Sequence, residues 1–131
     1  MSLLEAKNAT EKMLSEMQTI TRELFEAFKG EGTVYAPLPG CFEHYGLDFL
    51  VEDSGKGVFK TYLLEVNPGP DFKQTGSKLR EVVKGMLRET VDLVLGGVDY
   101  DKKGNGNVFT KVFEERLRGG NAGEVSIKLN E

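Results

Sequence analysis

Two stretches of the chain carry apolar residues at the spacing of an amphipathic helix. From Leu4 to Lys29, apolar side chains recur every three or four positions with charged residues between them, which is the period of one helical face. The segment from Leu79 to Val94 has the same spacing, and Ser77 is its predicted N-cap. The pattern therefore predicts two long helices.

Between these helices the pattern changes to short apolar runs that are typical of strands. One run extends from about His44 to Glu52 and the next from about Val58 to Asn67. The segment between them, EDSGKG, supplies the serine and glycines that tight turns use. An antiparallel hairpin is therefore predicted, preceded by a proline-rich linker, TVYAPLPG, that cannot form a regular hydrogen-bond ladder.

The end of the chain is polar and rich in glycine, with short strand-like pieces at Val108–Phe113 and Val125–Leu129. The order of elements predicts an α+β fold in which long helices pack on an antiparallel hairpin or sheet. We expect residues 1–40 to hold the first helix and a Pro/Gly linker, residues 41–97 a strand-strand-helix lobe, and residues 98–131 a tail with a late strand. A sheet with few strands leaves apolar surface and strand edges uncovered. We therefore expect an isolated chain to self-associate.

Composition narrows the classes of function. The 131 residues are 39% hydrophobic and 29% charged, and 17 basic against 21 acidic side chains give a net charge of -4. No basic run favours nucleic acid as a partner, and no window approaches the roughly 18 apolar residues of a membrane helix. The single cysteine, Cys41, cannot form an internal disulfide, which favours a reducing, cytoplasmic location.

Candidate chemistry lies on the predicted hairpin. Alternation places Asp48 and Leu50 on one face of the first strand, and Leu63, Glu65 and Asn67 on one face of the second. Closing the hairpin brings Asp48 near Glu65 and Asn67. Carboxylate and amide oxygens are ligands that suit Mg²⁺ shared with a nucleotide phosphate. Alternation alone equally supports solvent-facing side chains of a half-exposed hairpin.

The same residues carry a family resemblance. CFEHYGLDFLVED followed by KTYLLEVNPGP resembles the C-terminal lobe of the tubulin–tyrosine ligase family, within the ATP-grasp superfamily. The signature of that lobe is an aromatic-rich G-x-D-F strand, a short turn, and an apolar strand that ends E-V-N-x-x-P. The likeness covers residues 41 to 97 and extends to the closing VSIKL.

The resemblance implies specific roles for residues of this hairpin. In such enzymes the matching aspartate, glutamate and asparagine hold Mg²⁺ against the β- and γ-phosphates of ATP, which maps onto Asp48, Glu65 and Asn67. Apolar residues beside them line the adenine slot, which maps onto Leu50 and Leu64. Alternation puts Leu64 on the face opposite Glu65, so Leu64 needs a local twist or bulge to serve.

The resemblance also implies a reaction, the ATP-dependent joining of an amino group to a protein carboxylate through an acylphosphate. The expected partners are an acceptor protein with a carboxylate, such as tubulin, and a free amino acid; the sequence names neither. The lysines, adenine hinge and arginines that such enzymes use lie upstream of this lobe, so we expect a C-terminal fragment that is inactive alone. The alternative is a non-catalytic interaction module derived from the ATP-grasp fold.

Two further features imitate functional sites. His44 is the lone histidine, and at the start of a strand such a residue more often has a structural role than a catalytic one. The segment from Asp99 to Thr110 resembles the start of a calcium-binding EF-hand loop, but it has Lys103 at position five and Thr110 where a glutamate is required. A glycine-rich loop is the simpler interpretation.

Overall fold

The computed structural model describes residues 2–33, 35–38, 41–55, 57–96, 109–116 and 124–130, and the last of these ranges by its backbone alone. The elements in chain order are α1 (Leu3–Phe28), β1 (Tyr45–Asp53), β2 (Phe59–Pro68), a 3-10 helix (Phe72–Thr75), α2 (Arg80–Val94), β3 (Phe109–Arg116) and β4 (Glu124–Asn130). Helices and antiparallel strands in this order confirm the predicted α+β class.

The strands form two separate antiparallel pairs, β1 with β2 and β3 with β4. Helix α1 packs against β2 and also against β3, so it joins the two hairpins. The two strands of the hairpin and the last strand are each found within one residue of their expected bounds, while β3 runs three residues beyond its predicted end at Phe113. The division at residues 40 and 97 stays a prediction.

Helix α1 begins with a capping box that the apolar periodicity does not reveal. The Ser2 hydroxyl accepts a hydrogen bond from the Glu5 backbone N–H (3.2 Å), and the Glu5 carboxylate accepts one from the Ser2 backbone N–H (2.6 Å). The signal is the S-x-x-E spacing before an apolar run. Within the described part of the chain, no helix combines the length and apolar character that crossing a bilayer requires.

The prediction that Ser77 is the N-cap of α2 is wrong. Leu79 occupies that position and makes no side-chain capping bond, while the Ser77 carbonyl accepts from the Arg80 N–H (3.4 Å). The chain leaves the 3-10 helix through Gly76, whose φ is 71°, and turns before the helix starts. Ser77 therefore comes too early to cap, while the other end of the helix is followed by Gly96, with φ 78°.

An aromatic cluster around Phe25 connects α1 to the rest of the described fold. Phe25 is 5% exposed. Its ring lies 5.6 Å from Tyr35, 6.1 Å from Tyr45 and 6.3 Å from Phe113, measured between ring centroids. Phe25 thus contacts the linker, β1 and β3. Aromatic pairs at this separation add to the stabilisation that comes from burial.

Two tyrosines of this cluster are held in their neutral form. Burial, followed by the hydrogen bond to Glu43 (2.5 Å), raises the pKa of Tyr45 to about 12. Burial and then the charge of Glu115 raise the pKa of Tyr35. Both shifts have the direction expected when an ionisable hydroxyl is moved from water to an apolar environment beside a carboxylate.

Helix α1 also covers part of the free edge of β2. The Glu16 carboxylate accepts a hydrogen bond from the backbone N–H of Thr61 (3.2 Å). Elsewhere on the same helix, the fully buried Thr21 donates its hydroxyl proton to the Met17 carbonyl (2.8 Å). Glu16 thus satisfies a backbone N–H on the unpaired edge of β2. Without such an acceptor, this N–H would be open to pairing with another strand.

Much apolar surface lies outside this core. The buried apolar residues in the described ranges are Phe25, Met86 and Phe113. On the outer side of α2, Val91 is 53% exposed and Leu95 79% exposed. The expected uncovered apolar surface is therefore present, while self-association through it stays a prediction.

Replacing Phe25 with alanine tests the central role of the aromatic cluster. Loss of a buried aromatic ring with three ring neighbours should lower the free energy of unfolding by about 3 kcal/mol, measured by urea denaturation. Leu4→Ala, on an exposed position of the same helix, is the control and should change it by less than about 0.5 kcal/mol. Equal effects of the two substitutions would contradict the assignment of Phe25 as the core residue of α1.

Candidate metal and nucleotide site

The register of the hairpin brings the predicted ligand residues together on one face. Asp48 of β1 lies directly opposite Glu65 of β2, and Gly46 lies opposite Asn67. Paired residues of an antiparallel ladder point to the same side of the sheet. Asp48, Glu65 and Asn67 are all exposed, so three oxygen-bearing side chains occupy the outer face at one end of the hairpin.

A β-bulge at Leu64 sets this arrangement. The register shifts between Asp48 and Phe49, because Phe49 pairs with Leu63 while Asp48 pairs with Glu65. Leu64 is therefore the extra residue of β2, and it is 63% exposed. The bulge that Leu64 needs to reach the outer face is therefore present, while its role beside a nucleotide stays a prediction. Leu50, on the outer face by alternation along β1, is 53% exposed.

The same bulge corrects the predicted position of Leu63. Simple alternation puts Leu63 on the face of Glu65, but the register pairs Leu63 with Phe49, on the inner face. Both of these residues are partly buried, as is the next inner pair, Leu47 and Val66. An extra residue between Leu63 and Glu65 reverses the alternation, so the two side chains point to opposite sides.

Among the described residues, neither Asp48 nor Glu65 forms a salt bridge. Like charges directly opposite each other destabilise a strand pair. The Asn67 side-chain N–H donates to Glu65 Oε1 (3.0 Å), which orients the amide beside the carboxylate. Two carboxylates and an amide fit a hard divalent cation that completes its shell with water or phosphate oxygens.

Carboxylates, histidines and cysteines do not form a metal-binding group of three or more within the described ranges. The candidate set has only two carboxylates, Asp48 and Glu65, and its third member is the amide of Asn67. Such a set leaves most of the coordination shell to other ligands, which is the usual condition of Mg²⁺ bound with substrate phosphates. The ligand roles of the three residues stay a prediction.

The turn that follows Asn67 folds back over the first strand. Gly69 has φ 71°, a value that favours glycine, and its N–H donates to the His44 carbonyl (3.1 Å). A methyl group added at Gly46 would lie 3.1 Å from Pro70 Cβ. The N-P-G-P segment therefore packs on the glycine that faces Asn67, and the absence of a side chain at Gly46 permits this close approach.

The opposite end of the outer face carries a polar cluster that the sequence analysis does not single out. The Tyr62 hydroxyl donates to Glu52 Oε2 (2.8 Å), and Lys60 Nζ lies 5.1 Å from the centre of the Tyr62 ring. Interaction with Tyr62 raises the pKa of Lys60. Tyr62 pairs with Leu50 across the strands, and this cross-strand position is the signal that could have found it.

The loop that imitates an EF-hand lies, up to Val108, outside the described residues. Asp99 and Lys103 are therefore not assigned a position, and Thr110 belongs to β3. A residue in a strand ladder has extended backbone geometry and does not close a calcium-binding loop of the EF-hand type.

Comparison with known proteins adds an independent observation. The model of the tubulin-tyrosine ligase family matches residues 2–102. A probable tubulin–tyrosine ligase of Schizosaccharomyces pombe is 39% identical over 77 residues, which is 58% of this chain and 18% of that protein. A probable tubulin–tyrosine ligase of Saccharomyces cerevisiae is 35% identical over 92 residues, which is 69% of this chain and 12% of that protein.

A third relative is the inactive polyglycylase of Homo sapiens, which is 43% identical over 56 residues, or 43% of this chain and 8% of that protein. In these three cases the chain spans less than a fifth of the relative's length. No solved structure matches the chain. The likeness is therefore to a limited part of each relative.

Substituting Gly46 with alanine tests the contact between the turn and β1. The new methyl group should push Pro70 outward and lower the free energy of unfolding by about 1 kcal/mol, measured by urea denaturation. The control is Gly32→Ala, at a glycine without positive φ where an added methyl group meets nothing within 4 Å. A Gly46→Ala variant as stable as Gly32→Ala would show that the turn does not rest on this glycine.

Proposed function

This chain belongs to the tubulin-tyrosine ligase family, and from that membership we propose that it is the C-terminal part of an ATP- and Mg²⁺-dependent carboxylate–amine ligase. The proposed reaction joins a free amino acid to a carboxylate of an acceptor protein. The observation that carries the proposal is the direct pairing of Asp48 with Glu65 on the exposed face of the hairpin, beside Asn67.

In this proposal the oxygen atoms of Asp48, Glu65 and Asn67 bind Mg²⁺, which neutralises charge on the phosphates of ATP. Leu50 and Leu64 then line one side of the adenine slot. Their exposure on the face that carries the carboxylates supports this role, because an apolar surface beside a cluster of oxygen ligands matches the two ends of a nucleotide.

The proposed chemistry has two steps. An oxygen of the acceptor carboxylate attacks the γ-phosphorus of ATP, the bond to the β-phosphate oxygen breaks, and ADP leaves. The amine of the amino acid then attacks the acylphosphate carbon, phosphate leaves, and the nitrogen loses a proton to give an amide. The contribution of this chain is to hold charge and position, and none of its side chains acts as a nucleophile.

Membership of the family supports the chemical class of each substrate and does not identify the individual substrate. Two relatives are named as probable tubulin–tyrosine ligases and one from Macaca fascicularis as a protein polyglycylase, which supports a protein acceptor, with tubulin as a candidate, and a free amino acid such as tyrosine or glycine. A cytoplasmic location belongs to the same proposal. The single cysteine of the chain, Cys41, is exposed and unpaired, which is typical of a reducing compartment.

A second candidate function is a non-catalytic interaction module that keeps the scaffold without ligase activity. The observation that favours it is the 43% identity of a segment of this chain to a relative named as an inactive polyglycylase. A relative from Macaca fascicularis that is named as a polyglycylase is 41% identical over the same length. Similarity in this segment therefore does not distinguish active from inactive relatives.

Substituting Glu65 with glutamine tests the metal site and separates the two candidates. Removing one carboxylate charge should weaken binding of Mg-ATP to the full-length protein by more than about tenfold, measured by isothermal titration calorimetry. The control is Glu52→Gln, since Glu52 lies on the same outer face opposite Lys60, and it should bind as the wild type does. If neither the wild type nor Glu65→Gln binds Mg-ATP, the ligase proposal fails and the interaction module is favoured.

Leu64→Ala tests the apolar end of the slot. Loss of the leucine contact with the base should weaken ATP binding by about tenfold, or about 1.4 kcal/mol, while binding of magnesium tripolyphosphate, which has no base, should not change. Leu87→Ala, on the exposed side of α2, is the matched control. An equal loss for both ligands would contradict a role for Leu64 in holding the base.

A further inference from the structure

The side chain of His44 forms a hydrogen bond with Thr90 of α2. Its Nε2 atom lies 3.0 Å from the hydroxyl oxygen of Thr90, and that hydroxyl donates to the Met86 carbonyl (2.9 Å). A threonine hydroxyl has one proton to donate. With that proton directed to Met86, the tautomer of His44 that carries its hydrogen on Nε2 satisfies both bonds by donating to Thr90. Thr90 is 7% exposed, so the bond lies at the inner side of α2.

The same histidine contacts the turn after Asn67 at two points. Its backbone carbonyl accepts from the Gly69 N–H (3.1 Å). Its ring packs edge-on against Phe72, with 5.9 Å between centroids, and against Phe42, with 5.6 Å. His44 thus holds the turn at its middle and at its exit, while its Nε2 atom attaches the whole arrangement to α2.

This arrangement affects the candidate site because Asn67 lies at the start of the turn that His44 contacts. Asn67 is two residues before Gly69 in the chain, and its partner in the ladder, Gly46, is two residues after His44. The backbone at Asn67 is therefore restrained on one side by the β1–β2 ladder and on the other by the turn. The direction of its side-chain amide depends on both restraints.

We propose that His44 is a positioning residue which, through Thr90, anchors the turn to α2 and fixes the amide of Asn67 toward the metal position. The inference rests on the proposed function, in which Asn67 is a metal ligand. His44 touches neither metal nor nucleotide in this role. Residues that orient a ligand in this way commonly change metal affinity by about 10- to 100-fold when they are replaced.

A matched pair of variants at His44 provides the first test. In His44→Gln the side-chain amide reaches the level of Nε2 and can still donate to Thr90, whereas in His44→Asn it is too short to do so. Binding of Mn²⁺ to the full-length protein with ATP present, followed by electron paramagnetic resonance, should weaken about tenfold in His44→Asn and stay near the wild-type value in His44→Gln.

A second readout needs no metal and no activity. Hydrogen exchange of the peptide that contains Gly69, measured by mass spectrometry on the metal-free protein, should accelerate in His44→Asn and not in His44→Gln, because the turn loses its attachment to α2. Unchanged exchange and unchanged Mn²⁺ binding in a folded His44→Asn protein would overturn the inference while leaving the proposed function intact. A wild-type protein that binds no Mn²⁺ would overturn both.

A double-mutant cycle distinguishes positioning from general destabilisation, and it also serves if His44→Asn does not fold. Thr90→Val removes the acceptor of the His44 bond at similar side-chain volume, and Thr90→Ser retains it. Thr90→Val should weaken Mn²⁺ binding in the wild-type background and should have no further effect when Asn67 is already alanine. A full effect of Thr90→Val in the Asn67→Ala background, or an equal loss in Thr90→Ser, would overturn the inference.

Discussion

The pairing of β1 with β2, including its single bulge, is the constraint on which the candidate site depends. The side chains of a strand alternate between two faces, so a shift of one residue in register moves every later side chain to the other side. Leu64 is the inserted residue, and its insertion lets Glu65 face Asp48 while Leu63 remains on the inner face. Without the bulge, one strand could not present an apolar residue and a carboxylate on the same face in consecutive positions.

The rest of the described fold holds this hairpin from its inner side and its ends. Phe25 joins α1 to β1 and β3 through ring contacts, and Glu16 covers part of the edge of β2. The outer face remains open to solvent, which a nucleotide site requires. Apolar residues also remain exposed on α2, and the described residues do not cover them.

Much of the secondary structure could be predicted because the apolar positions have clear periods. Both long helices and three of the four strands lie within one residue of the predicted bounds, and β3 extends three residues beyond its predicted end. The wrong predictions arise from local features that the spacing of apolar residues does not show. Ser77 is a good capping residue that stands before a turn instead of a helix. Simple alternation puts Leu63 on the wrong face because it does not detect a bulge. The Ser2 cap depends on a pair of residues three apart and carries no apolar signal.

The sequence by itself determined the element types, the family and the presence of two carboxylates and an amide near the ends of neighbouring strands. These properties are local, since they depend on spacing along the chain and on the chemistry of each residue. Only the tertiary structure decided that Asp48 lies opposite Glu65, that Pro70 rests on Gly46, and that His44 binds Thr90, 46 residues away. These contacts join residues that are distant in sequence, and strand register together with helix packing sets them, which no local pattern encodes.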